Sequence, residues 1–584
     1  MIFFYLLQKI KPLIFLPRFF YLLLWLSFSS FVYGQQTEIV DFISVKAVVR
    51  PLLKEKKVIA TTSYTFKILK KCDSVYLDAQ GVFLLKNIKN RKIAIHLNNN
   101  KIWLVSEFKP TQTYTVSFEY EVSPKKALYF LDHQIWTQGQ GKYTSNWFPS
   151  IDDMNDKIEF DLSYIIPSDK SIVANGKLVA VTDTGAFKKW SFDMKQPMSS
   201  YLLSFAVGDF SKKKITSSSN VAIELYYSST DSLLAETTYR YSKIIFDFLE
   251  NEIGVNYPWQ NYKQVPLKDF LYAGMENTSA TFFSDAFIVD SIGFIDRNYV
   301  NVNAHELAHQ WFGNLVTETS GHSHWLHEGF ASYYALLTEK EIFGEDYYYW
   351  KLFQSAEQLK LLSEQGKGES LNNPNASSLT FYEKGAWALH VLREKVGDSV
   401  FKKAINNYIE KHRYKNVTTD DFIIEVEQAY GKELHEFKKD WILQSAFKSE
   451  QAYQSLIKSN FINEYFKISA LRGTPIQLKI AELEKALVFP DDFIGQEIVY
   501  QLKNEPLYLT LPLYKKAFDS NNIFVRQSIA LSMDKIPKEL KSYYESLLMD
   551  SSYLTQESAL GNLWVNFPEN QSRYLDEMEG VIGF

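Results

Sequence analysis

Apolar and polar residues alternate through the first third of the chain. Tyr114, Val116, Phe118, Tyr120 and Val122 are separated by Thr115, Ser117, Glu119 and Glu121, the period of a half-buried strand. Ile158, Phe160, Leu162 and Tyr164 alternate with Glu159, Asp161 and Ser163 in the same way. Asn175-Gly176 and Thr184-Gly185 supply turns between such runs. Residues 35–210 therefore predict a β domain, a sandwich or saddle-shaped sheet, ending on a buried strand over 201–207. From 211 to 446 the period becomes largely helical. One long helix is expected over 233–253, an edge strand over 263–270, a polar loop over 365–378, and helices near 398–412, 419–430 and 432–446. Thr418-Thr419-Asp420-Asp421 offers cap material for the second of these three.

Residues 447–584 read as helices throughout. Segments 496–502, 525–531 and 554–560 resemble one another at a spacing of about thirty residues, the mark of stacked helix pairs. The fold class is thus multidomain α+β: an N-terminal β domain, a mainly helical central domain and a solenoid-like helical repeat. The sequence closes on apolar Gly580-Val581-Ile582-Gly583-Phe584. Solenoids usually end on a polar capping helix, so a native polypeptide continuing past Phe584 is expected.

The central domain contains His305-Glu306-Leu307-Ala308-His309. Residues four apart share a helix face, so two imidazoles project side by side and can hold one zinc ion. Glu306 lies about 100° around the axis, placed to act on water rather than as a third ligand. Such a site needs one more protein ligand and an open position. Glu328 supplies it: eighteen residues, 310–327, separate it from His309. Gly313-Asn314 should stop the first helix, and residues 325–337 can return beside it as the second arm of a hairpin. His322, His324 and His327 crowd the connection. With three ligands already assigned, they are expected at the surface or behind the site. His96, His133, His390, His412 and His435 have no metal-ligand spacing.

Three other stretches allow two readings each. Thr137-Gln138-Gly139-Gln140-Gly141 is a plain glycine-rich loop, or two amides facing a cleft. Leu271-Tyr272-Ala273-Gly274-Met275-Glu276-Asn277 is an acidic turn, or a close backbone approach to a ligand with a fixed negative charge. Tyr382, at the start of a helix, is a core tyrosine or a phenol directed into the cleft.

Composition narrows the setting. At 584 residues the chain suggests about three or four domains. Aromatic residues make up 16% of it, favouring strands and aromatic-lined pockets. The net charge of −5 gives no basic footprint for nucleic acid. Cys72 is the single cysteine, so no intramolecular disulfide can form. Lys9, Lys11 and Arg18, the apolar run 19–31 and Val32-Tyr33-Gly34 read as a signal peptide over 1–34 with a mature start at Gln35. That predicts export to a periplasmic or extracellular location. The alternative is an uncleaved membrane anchor over 12–33.

Taken together, Gly274-Met275-Glu276-Asn277, the His305–His309 motif followed by Gly313-Asn314-Leu315-Val316-Thr317, Trp325-Leu326-His327-Glu328-Gly329-Phe330-Ala331 and Tyr382-Glu383-Lys384-Gly385 resemble the zinc aminopeptidases of the aminopeptidase N and leukotriene hydrolase family. Pro197-Met198-Ser199-Ser200-Tyr201-Leu202-Leu203 is similar to that family's strand before the catalytic domain. The resemblance implies one zinc ion on His305, His309 and Glu328, with Glu306 as general base. It implies Tyr382 as the oxyanion-binding phenol and Glu276 as the group holding the substrate α-amine. Gln138 and Gln140, with Gly274, Met275 and Asn277, fall at the family's substrate-binding positions. The implied substrates are peptides with a free N-terminus; oligomeric state is not implied. A thermolysin-like zinc endopeptidase and a catalytically idle scaffold are the alternatives. This chain departs from the family in Ala273 for Gly, Gln140 where many members have Glu, His327 for Asn, and Ser320-Gly321-His322-Ser323 in place of an aromatic, acidic run. Gln140 is shared with leukotriene-hydrolase-like members, which raises epoxide hydrolysis as a side activity.

Overall fold

A computed structural model describes residues 36–87, 92–487 and 492–583. The signal-peptide reading of 1–34 lies outside the described residues. No helix among the described residues is long and apolar enough to cross a membrane.

The alternating runs of the first third form the expected β domain. Val40–Leu52 pairs antiparallel with Lys57–Ile68 and parallel with Lys157–Pro167. Thr113–Val122 adds on the far side of Lys57–Ile68. The inward positions, among them Phe42, Tyr64, Phe118, Phe160 and Tyr164, are buried. A smaller sheet has the order Ser171–Ala174, Phe205–Gly208, Ile135–Thr137 and Leu128–Phe130. Residues 201–207 are not one strand. Ser200–Leu202 is a 3-10 turn, and the strand is Phe205–Gly208. Ser200 Oγ donates to the Ile151 carbonyl, while Ser204 N donates to Asn175 Oδ1. These side-chain bonds replace part of the ladder that an extended strand would need.

The central domain starts with a five-stranded sheet: Phe210–Thr216, Ala222–Ser228, Tyr262–Leu267, Ala280–Ser284 and Gly274–Met275. The expected edge strand is in fact central. Tyr262–Leu267 is fully buried and parallel to both neighbours. Lys263 and Pro266 give it the letters of an edge, but the Lys263 amine is buried and donates to the carbonyls of Ala174 and Gly176. Burial pushes that amine down to about 7. Gly274–Met275 is the edge, antiparallel to Ala280–Ser284. The long helix over 233–253 is two, Ala235–Tyr239 and Ser242–Ile253. Ser242 turns its hydroxyl to Gln264 and accepts from Asn303 of the helix Val300–Ala308.

Helices follow at Asp398–His412 and Thr419–Tyr430, the latter with a Thr418–Asp421 capping box. Residues 432–446 form only a short helix, His435–Phe437, and a π-turn, Lys438–Leu443. In the C-terminal region Asp492–Leu502, Ile523–Ser532 and Tyr553–Asn566 pack in succession. Asp296 docks this stack on the central domain, accepting from Gln527 Nε2 and Ser552 Oγ, both at 2.8 Å.

Candidate active site and metal centre

Val300–Ala308 is a buried helix that carries His305, and His309 caps its end. It turns one residue after Ala308, earlier than Gly313-Asn314 would have stopped it. Glu328 enters from the first turn of Trp325–Phe343, the other arm of the hairpin. His305 Nε2 lies 3.1 Å from His309 Nε2 and 3.3 Å from Glu328 Oε2, and His309 Nε2 lies 3.4 Å from the same oxygen. Three donors about 2.0–2.1 Å from a common tetrahedral centre stand about 3.3 Å apart, so this triangle fits zinc. His309 Nδ1 lies 2.9 Å from the Phe312 carbonyl. That contact places the proton on Nδ1 and leaves the Nε2 lone pair for the metal.

Electrostatics favour a cation at the same point. Burial opposes charge on His309, yet Glu328, Glu276 and Glu306 push the imidazole up to about 10. Burial works against ionised Glu328 as well, but His309 and His305 hold it well below the usual carboxylate range. Burial lowers His305, against the pull of Glu328. The Glu306 carboxyl is raised by burial, with Glu276 and Glu328 adding and His309 opposing.

The edge strand Gly274–Met275 runs against Glu306. A Cβ at Gly274 would come within 2.3 Å of Glu306 Oε1, so only glycine lets this backbone lie against the base. Ligand atoms of Glu276, Glu306 and His309 all lie within 4.8 Å of one another. Two residues missed in the sequence fasten Glu276 here. Gln310 Nε2 and Asn314 Nδ2 donate to its carbonyl at 3.0 and 2.7 Å. Gln310 Oε1 also accepts from Ser279 N. Their nearness to the metal motif was the available signal. Lys157, from the β domain, pins the same loop by donating to the carbonyls of Asn314 and Leu315.

Tyr382 belongs to a single turn of π-helix, Thr380–Lys384, ahead of Gly385–Val396. Its ring is parallel to His305 within 5°, with centroids 5.3 Å apart. Burial, then Glu328, Glu306 and Glu276, keep the phenol protonated. Gly329 and Gly385 bring the two helices together: a Cβ on Gly329 would meet Gly385 Cα at 2.9 Å.

A cavity of about 650 Å³ opens over these groups, lined by Gln140, Gly274, Glu276, Glu306, Tyr382 and the three ligands. The remaining predicted substrate-binding residues stand behind its wall. Gln138 is buried; its Oε1 accepts from Gln140 N, and its Nε2 has no hydrogen-bond partner among the described residues. Met275 and Asn277 are buried, and neither polar atom of the Asn277 amide has a hydrogen-bond partner among the described residues. Of the three connecting histidines, only His322 is a surface residue, 2.9 Å from the Asn372 carbonyl. His327 is buried and His324 half-buried; both face Glu318, a residue the sequence did not single out.

A helical hairpin with two imidazoles, a carboxylate and an adjoining base defines a metal-site protein of the HExxH class. Comparison with known proteins is more specific. The Peptidase M1 N-terminal domain model matches residues 44–202, and the Peptidase family M1 domain model matches 238–441. The chain belongs to the M1 peptidase family, and the family implies zinc. A probable aminopeptidase 2 of Sulfurisphaera tokodaii is 24% identical over 460 residues, covering 74% of this chain and 57% of that protein. The glutamyl aminopeptidase of Rattus norvegicus is 28% identical over 338 residues, covering 54% of this chain and 35% of its own length. The chain thus spans about half or less of such relatives. An M1 zinc metallopeptidase mutant of Deinococcus radiodurans, solved with a Tyr-Ser-Ala substrate, shares the fold with a TM-score of 0.61 at 21% identity. That match covers 70% of this chain and 95% of the other.

Proposed function

We propose that the protein is a zinc aminopeptidase that hydrolyses the first peptide bond of peptides with a free α-amine. The observation carrying this reading is the buried Glu276 carboxylate in the same cavity as the ligand triangle and Glu306. A single zinc ion on His305, His309 and Glu328 would polarise the scissile carbonyl and lower the pKa of water to about 7. Glu306 accepts a proton from the attacking water and delivers it to the leaving amine. The Tyr382 hydroxyl donates to the tetrahedral oxyanion. Glu276 accepts hydrogen bonds from the substrate ammonium and so fixes the distance from N-terminus to reacting carbonyl, which favours removal of one residue at a time.

A panel of aminoacyl fluorogenic substrates, free and N-acetylated, tests the reading. Hydrolysis of free-amine substrates, abolished by a chelator and restored by zinc, is expected. Equal cleavage of blocked peptides would replace it with an endopeptidase, and no turnover by zinc-loaded protein would indicate an idle homologue. We also propose export through the N-terminal segment. Sequencing the N-terminus of protein from cell fractions should find Gln35 first; an intact Met1 in a membrane fraction would favour the anchor.

A further inference from the structure

The 3-10 turn Ser200–Leu202 brings Tyr201 of the β domain up behind Glu276. Thr144 Oγ1 donates to the Ser200 carbonyl at 2.9 Å, and a Cβ on Gly139 would meet the Tyr201 carbonyl oxygen at 2.5 Å. The turn is thus seated on the Gln138–Thr144 loop. A further tie reaches the central domain. Asn175 is buried, and its Nδ2 donates to the carbonyls of Leu202 and Thr278 at 3.0 and 2.7 Å. Gly176 N donates to Ser279 Oγ at 2.9 Å. One amide of the β domain therefore grips both the residue after Tyr201 and the residue two beyond Glu276.

The Tyr201 side chain turns toward the same acid. Its Oη is buried, and no aligned hydrogen bond satisfies it among the described residues. Burial first, then the charges of Glu276, Glu318 and Glu328, hold the phenol protonated, and Glu276 is the one of the three within its reach as an acceptor. Glu276 in turn needs a donor. It is 5% exposed, and no lysine or arginine pairs with its carboxylate among the described residues. Gln310 and Asn314 bond its backbone carbonyl instead. A buried carboxylate is costly without donors, and a buried hydroxyl without an acceptor. Side by side, each supplies what the other lacks, in a charge-assisted O–H···O bond. Tyr201 does not line the cavity, so it meets Glu276 from behind and leaves the cavity side of the carboxylate to a ligand.

We propose that Tyr201 is a positioning residue for recognition of the substrate α-amine: its hydroxyl donates to the Glu276 carboxylate and holds it in the orientation that meets an ammonium. This inference rests on the aminopeptidase reading and deepens it. The amine site is then shared, the central domain giving the acid and the β domain its support.

The test is peptide binding by the zinc-loaded full chain, slowed by Glu306→Gln and titrated calorimetrically with the tripeptide Leu-Gly-Gly and its N-acetylated form. The free tripeptide should bind more tightly. Adding Tyr201→Phe should weaken it about tenfold and leave the acetylated form unchanged, at equal zinc content. On top of Glu276→Ala, Tyr201→Phe should add nothing, as expected of two residues that act as one. No loss, an equal loss for both peptides, or a loss additive to that of Glu276→Ala would overturn the proposal. Equal binding of the two peptides before Tyr201 is changed would bring down the aminopeptidase reading itself, and this inference with it. If Tyr201→Phe fails to fold by circular dichroism, a crystal structure of the zinc-loaded protein decides. An Oη about 2.5–2.7 Å from a Glu276 oxygen supports the proposal; an Oη bonded to another group refutes it.

Discussion

Gly274 lies against Glu306 so closely that a Cβ on it would meet the carboxylate oxygen at 2.3 Å. The edge strand and the base are thus set against each other by the absence of one methyl group. Gly274→Ala should displace Glu306 and lower kcat by about 100-fold, since a misplacement near 1 Å costs that much. Bound zinc, measured in parallel, should be unchanged because no ligand is touched. Wild-type kcat in the alanine variant would show that the base is placed by something else.

Glu306→Gln removes the proton acceptor while keeping its shape. Turnover should fall by about 10²–10⁴-fold, the usual worth of a positioned general base, with metal content at the parent level. Kinetics with elemental analysis on the same sample separates loss of the base from loss of the ion.

Asn314→Ala should act on the amine site from behind. It deletes the 2.7 Å bond to the Glu276 carbonyl and leaves the Gln310 bond in place. We expect KM for free-amine substrates to rise, with a loss of about 1 kcal/mol in binding, and kcat to change little. A fall in kcat at constant KM would mean that Asn314 supports the metal helix rather than Glu276.

Stability should depend on pH through His390, buried between Tyr348 Oη and Ser455 Oγ at 2.7 Å each. Burial pushes this imidazole down from 6.5 to about 4. Between those values the unfolded chain binds the proton and the folded one does not. Stability present above pH 6.5 is therefore lost as pH falls toward 4, by about 3 kcal/mol in all. Denaturation midpoints of His390→Gln should fall less steeply than the parent's across this window. Parallel curves would remove His390 as the cause.

The ligand triangle was legible in the sequence because it depends on local geometry: four residues along a helix, then a carboxylate at the start of the next. The alternating strands were legible for the same reason. Partners across the fold were not. Nothing local in Gln310 or Asn314 says that both reach one carbonyl 34 and 38 residues earlier. Lys263 and Pro266 misled because a charge and a missing N–H look like an edge until buried carbonyls are found beside the amine. His324 and His327 looked superfluous once three ligands had been counted. The carboxylate that gathers them, Glu318, carries no motif at all.

The π-turn at Thr380–Lys384 holds one residue more than an ordinary turn. Deleting Thr380 alone would let the following helix wind backward without interruption and swing the Tyr382 ring about 100° out of the cleft. Every signature letter would survive such an edit. Relatives could therefore fall silent through a slipped register alone, and surveys that count intact motifs would tally them among the working peptidases.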